Sequence, residues 1–297
     1  MHPLQHVRRR PGPAVVIGII LLAALSIQCQ QIVSRGNADA QAPEITEASK
    51  PVLDAPILAT VDRPVLDPYE DQARANPLGF LKRALQNYRE NVHDYRCTFI
   101  KKERVKGRVR QAQTTRVLFR EEPYSVLMIW DKSPRPAQRV LYIKDQKVDS
   151  KGGQTALVHP EPLLALVVPR IRRPIWDFLA QSKSRRPISD FGFGRNLELI
   201  IEYCDKAQAE GVLDLEYKGR SSVDGRSTYV FVRHLPFTGV DGPYPDRVLI
   251  FHLDQETLLP IAVDAYADDA ETELIGRYRL TDIELNVGLS PADFTLD

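Results

Sequence analysis

The chain has 297 residues, of which 43% are hydrophobic and 27% charged, with a formal net charge of +1; that length holds one large or two small domains with a sizeable core. Residues 1–35 carry four basic and no acidic side chains, residues 36–76 three basic and eight acidic, and the remainder 33 basic and 31 acidic. So neutral a remainder excludes a global electrostatic case for nucleic acid as a partner.

At the N-terminus Arg8-Arg9-Arg10 precedes an apolar run of 14 residues, Ala14–Ile27. That is short of the roughly 20 residues a spanning helix needs and suits the h-region of a secretory signal. Three fates stay open. The segment is cleaved near Ala38-Asp39-Ala40; or it stays as a signal anchor whose basic flank keeps the N-terminus cytoplasmic; or it is lipidated at Cys29, although Gln28 is not the small residue such processing wants. Residues 1–35 are therefore expected to be a signal peptide or signal anchor. The rest is expected to be extracytoplasmic, in the periplasm or cell envelope, secreted or tethered to the membrane through that segment. Residues 36–76, with Pro43, Pro51, Pro56, Pro64 and Pro68 among acidic and small residues, read as a disordered acidic linker that buries too little surface to order itself.

Folding is expected over residues 77–297. Asn76-Pro77 has the form of an N-cap followed by proline at the first helical position, and Phe80, Leu81, Ala84, Leu85 and Tyr88 give a helix over 77–91. Tyr95, Cys97 and Phe99 alternate with Arg96 and Thr98, which opens a strand with one wet face. A Lys106-Gly107-Arg108 turn, a strand ending at Arg120, an apolar strand Tyr124–Trp130 and another at Val140–Ile143 continue an antiparallel meander. Between about 150 and 210, prolines cut the chain into pieces, and Leu163–Val168, Pro174–Ser182 and Asn196–Ala209 read as helices. A second meander follows. Asp224-Gly225 is a hairpin signal, strands are expected at 228–233, 247–253 and 260–266, and the last strand changes phase near Thr281-Asp282, which calls for a bulge. Eight or nine long strands in two blocks, with helices between, give an α+β architecture: one curved antiparallel sheet with helices on a single face.

Chemistry is sparse. No Gly-x-Ser-x-Gly elbow or P-loop occurs, and Phe191-Gly192-Phe193-Gly194 reads as a turn before a helix. His93, His159, His234 and His252 lack metal-ligand spacing. Asp268, Asp269, Glu271 and Glu273 form an acidic hairpin tip rather than a cation site. No catalytic, metal or cofactor residues are assigned, and no enzyme is expected. Cys97 and Cys204 are either a disulfide or two separate thiols. Arg170, Arg172, Arg173, Lys183, Arg185 and Arg186, with Trp176 and Phe178 among them, form a candidate basic contact patch for anionic headgroups or an acidic protein surface. Tyr95, Phe99, Val126, Met128, Trp130 and Val140 are the candidate groove positions on the sheet face.

The stretches CTFIKKERVKGRV, RVLYIKDQK, and LPIAVDAYADD with TDIELNVGLSPADF resemble the bacterial envelope family DUF1571, a domain of unknown function, over about residues 78–295. The closing ELNVGLSPADF is the most specific part. More loosely, the strand order is similar to that of the LolA-like lipoprotein-carrier superfamily. That resemblance implies a half-barrel with helices packed on its concave face and an apolar groove for lipid, acyl chain or lipoprotein. The alternative is an envelope interaction or sensing domain whose core is filled by its own side chains.

Overall fold

The computed structural model describes residues 69–131, 137–160, 170–177 and 184–296. The N-terminal segment with Cys29, the linker as far as residue 68, Lys183, Phe178, the expected helix at 163–168 and residues 178–182 of the next lie outside the described residues.

Two helices open the described part. Helix α1 (Glu70–Ala75) occupies the end of the stretch read as linker, and Ala73 at its centre is fully buried. Helix α2 (Pro77–Asn91) begins as its sequence predicts: the Asn76 side chain accepts from the Gly79 amide at 2.9 Å and Pro77 takes the first turn. It buries Phe80, Leu81, Ala84, Leu85 and Tyr88, the apolar stripe of its sequence.

Strand β1 (Asp94–Val105) then starts an open antiparallel sheet of 12 strands. The first block is β2 (Arg108–Val109), β3 (Gln113–Arg120), β4 (Ser125–Ile129), β5 (Ala137–Ile143), β6 (Thr155–Pro160) and β7 (Ile171–Pro174). Helix α3 (Phe193–Ala209) separates it from β8 (Asp214–Val223), β9 (Arg226–His234), β10 (Val248–Asp254), β11 (Pro260–Tyr266) and β12 (Leu274–Leu285). The spatial order is β7-β6-β5-β4-β3-β1-β12-β11-β10-β9-β8, with β2 on β1. Two meanders thus meet at one seam, β1 against β12. The predicted phase change in β12 is a bulge at that seam: Arg96 pairs with Glu284 and Thr98 with Thr281, and Asp282 adopts a φ of 49°. Asp224 and Gly225 both have positive φ, as the two-residue hairpin requires.

The sheet is curved and its helices lie on the concave face. Beneath α2 and α3, Phe80 stacks on Phe231 at 5.7 Å and meets Tyr229 edge-on at 5.6 Å. Leu197, Ile200, Ile201 and Cys204 of α3 complete that cluster. A second cluster on the β1–β5 side contains Tyr88, Val92, Tyr95, Cys97, Phe119, Val126, Tyr142 and Phe193. The convex face of β3–β6 has its own cover, in which Phe294 and Leu296 pack with Leu127 and Leu141.

Sequence reasoning missed β6 and β7. The stretch after 150 extends the sheet by two strands, and Pro174 ends β7 where a helix was expected to begin.

Candidate functional site

The six predicted groove residues share one face. Tyr95 pairs with Phe119, which pairs with Val126; Val117 pairs with Met128, which pairs with Val140. Phe99 lies four residues along β1 from Tyr95, and Trp130 two beyond Met128, so the same face carries them all. It is the helix-bearing face, and the six differ in depth. Tyr95 and Val126 are fully buried: the Tyr95 ring stacks on Phe119 at 4.6 Å and lies against Phe193 at 4.7 Å. These two are core. Phe99, Met128 and Val140 are half-buried against the same cluster. Trp130 is half-buried too, and its Nε1 has no hydrogen-bond partner. The register carries the apolar row outward from Val140 to Val158 and Ile171, both half-buried.

The opposite end of strands β4 and β5 is polar. A cavity of about 500 Å³ opens there between the end of α2 and the start of α3, lined by Tyr88, Arg89, Glu121, Tyr142, Lys144 and Glu198 among others. The Tyr88 hydroxyl donates to the Glu121 carboxylate. The Tyr124 hydroxyl donates to the carbonyls of Phe191 and Ser189, which fixes the turn before α3. Burial pushes the Glu121 carboxyl up, and the charge of Glu198 adds to this, while the Tyr88 bond and the Arg89 charge oppose it. Burial and the neighbouring Glu121 also raise Tyr88, which keeps it a donor. Tyr88 comes from α2, Glu121 from the turn after β3, Lys144 from the turn after β5 and Glu198 from α3, so no local sequence pattern could have announced this site.

The other candidates lie apart from this cavity and the apolar row. Arg170 and Arg172 lie before and on β7; Arg173 is held by Asp177 at 2.6 Å, and Arg186 is 3.8 Å from Asp190. Trp176 beside them is 59% exposed. Cys97 and Cys204 are free thiols in different clusters, one on β1 and one on α3, and not the disulfide considered from sequence. Burial pushes both thiols up, away from the thiolate form. Asp268 accepts from the amides of Thr272 and Glu273, so the acidic tip caps its own turn. Phe191-Gly192-Phe193-Gly194 leads into α3, with Gly192 as N-cap at a φ of 122°. Among the described residues no group of three His, Cys, Asp or Glu side chains is placed to hold a metal ion.

A family model described as protein of unknown function (DUF1571) matches residues 92–297. The chain belongs to the DUF1571 family. Within this DUF1571 domain the closing segment ELNVGLSPADF forms a clamp. The Asn286 side chain donates to the Asn91 carbonyl at 2.7 Å and accepts from the His93 amide at 2.8 Å. The amides of Gly288 and Leu289 donate to the Asp94 carboxylate at 3.1 and 3.2 Å. Ser290 and Asp293 close a capping box, and Phe294 lies under the Arg120 guanidinium at 4.9 Å. No curated protein sequence matches this DUF1571 chain. Solved structures similar to it include a DUF1329 family protein from Desulfovibrio piger (13% identity, 77% of this chain and 98% of that one, TM-score 0.38). The lipoprotein LppX from Mycobacterium tuberculosis is similar at 13% identity over 72% of this chain and 98% of that one, with a TM-score of 0.37. A LolA superfamily protein from Nitrosomonas europaea is similar at 11% identity over 72% and 97%, with a TM-score of 0.24. The architecture of the DUF1571 chain rests on its own strand order rather than on these distant likenesses.

Proposed function

We propose that this protein is an exported, membrane-tethered binding module that holds a lipid acyl chain, or the acyl chain of a lipoprotein, at the outer end of its concave face. The observation that carries this reading is the half-buried apolar row of Met128, Val140, Val158 and Ile171, bordered by Phe99 and Trp130. Apolar side chains in register across neighbouring strands, left partly accessible beside a packed core, suit a linear hydrocarbon better than a polar ligand. Tether and export rest on the Arg8-Arg9-Arg10 and Ala14–Ile27 segment.

The test is native mass spectrometry of the purified full-length chain, followed by solvent extraction. The expected result is a stoichiometric acyl-bearing adduct that is lost in Val140→Glu, whose carboxylate would sit in the apolar row. A clean apo mass, with no uptake of a fluorescent fatty acid, would overturn the reading. That outcome selects the other function class, an envelope interaction domain with a self-filled core. The full burial of Tyr95 and Val126 speaks for it.

A further inference from the structure

The polar cavity is separate from the apolar row. Fully buried Val126 and Tyr142, which is 2% exposed, stand between them, and Lys144, the residue after β5, lies four positions beyond Val140, about 13 Å away at the usual strand rise.

Its charges are unevenly committed. Arg195 contacts Glu198 at 3.3 Å, Glu202 at 2.9 Å and Asp190 at 3.7 Å. Arg89 contacts Glu198 at 2.8 Å. The side chains of Lys144 and His93, both exposed at the rim, have no ion-pair or hydrogen-bond partner among the described residues. The start of α3 is occupied already, since the Phe193 amide donates to the Tyr95 hydroxyl at 3.3 Å.

We propose that this cavity binds a small phosphate-bearing anion, its charged group seated among Lys144, His93 and Arg89. Donors arriving from the turn after β5, from the last turn of α2 and from the residues that follow it suit a tetrahedral oxyanion with several accepting oxygens. The volume of about 500 Å³ exceeds what a bare phosphate fills and leaves room for the organic part of an ester. Glu121 contributes to the pH response of the site, together with His93. The groups around Glu121 are Tyr88 and Arg89 of α2, His93 after α2, Glu122 beside it in the chain, Tyr124 just before β4, Lys144 after β5, and Arg195 and Glu198 of α3. An anion entering beside this carboxyl favours its protonated form, so binding takes up a proton there and tightens as pH falls.

The test is isothermal titration calorimetry of the full-length protein at constant ionic strength, with inorganic phosphate and glycerol 3-phosphate as probes. Saturable one-to-one binding is expected. Replacing Lys144→Met together with His93→Gln should weaken it about tenfold or more. Glu121→Gln keeps an acceptor for Tyr88 but removes the charge, and should tighten binding about threefold at pH 8, a gain that damage to the fold would not produce. Lys147→Met, an exposed lysine outside the lining, should change nothing. Glycerol 3-phosphate binding about tenfold tighter than phosphate would assign an ester or lipid headgroup; equal binding would assign free phosphate. No saturable binding of either probe, or an unchanged affinity in the double variant with intact circular dichroism, overturns the proposal. The acyl-adduct measurement is independent of this result, because neither Lys144 nor His93 belongs to the apolar row.

Discussion

His252 is a titratable side chain sealed into the sheet. It is 1% exposed, its Nδ1 lies 3.1 Å from the Thr228 hydroxyl, and its Nε2 has no partner. Burial, helped by the charge of Arg279 and opposed by Asp264, lowers its pKa to about 4. A folded-state pKa below the unfolded one means that stability is fully present above about pH 6.5 and is lost as pH falls towards 4. The loss can reach about 3 kcal/mol. Urea midpoints measured between pH 7.5 and 4.5 should therefore fall in the wild type and fall less in His252→Gln; parallel curves would remove His252 as the cause. Residue depth of this kind was only partly legible in the sequence. Alternation gave β1 one wet face, but it could not say that Tyr95 would be sealed by Phe193, 98 positions away in the chain. The same limit hid the Tyr88–Glu121 pair, and Gly194 shows how tightly that pair is set: a Cβ there would run into the Tyr88 ring.

Elements were legible where a local rule had no competitor. Asn76-Pro77 fixed the start of α2, Asp224-Gly225 fixed the β8–β9 hairpin, and the phase slip located the bulge at Asp282. They were illegible where a strand is short and bounded by proline. β6 ends at Pro160 and β7 at Pro174, and each owes its conformation to pairing with its neighbour rather than to its own propensity. The C-terminal clamp was legible only as a family signature, with no role attached, because its partners Asn91 and Asp94 lie almost 200 positions upstream, 195 for the Asn286–Asn91 bond. Its anchor is Phe294, 4% exposed between Arg120 and the convex-face cluster. Phe294→Ala should cost about 3–5 kcal/mol, read as a lower urea midpoint with an unchanged slope. A loss under about 1 kcal/mol would mean that the segment lies on the sheet without supporting it.

At the scale of the whole molecule, the two meanders share more than a boundary. β1 pairs with β12 along the seam, and the cluster around Tyr95 draws on both blocks, with Leu259, Ile261 and Leu280 from the second. One cooperative unfolding transition follows, with tryptophan fluorescence, which reports Trp130 and Trp176 in the first block, coinciding with far-ultraviolet dichroism from the whole sheet. Separate transitions would show two independent halves. The seam also has a consequence for biosynthesis. Arg104 of β1 bonds the carbonyl of Leu274 across 170 residues of sequence. At translation rates of about 5–20 residues per second, β1 waits roughly 10 to 30 s for its second neighbour. Throughout that interval a nascent chain presents an open strand edge to every other nascent chain. The run Lys101-Lys102-Glu103-Arg104 guards that edge with charge, and a holdase that keeps the chain unpaired until β12 has emerged would serve it better than any catalyst of early folding.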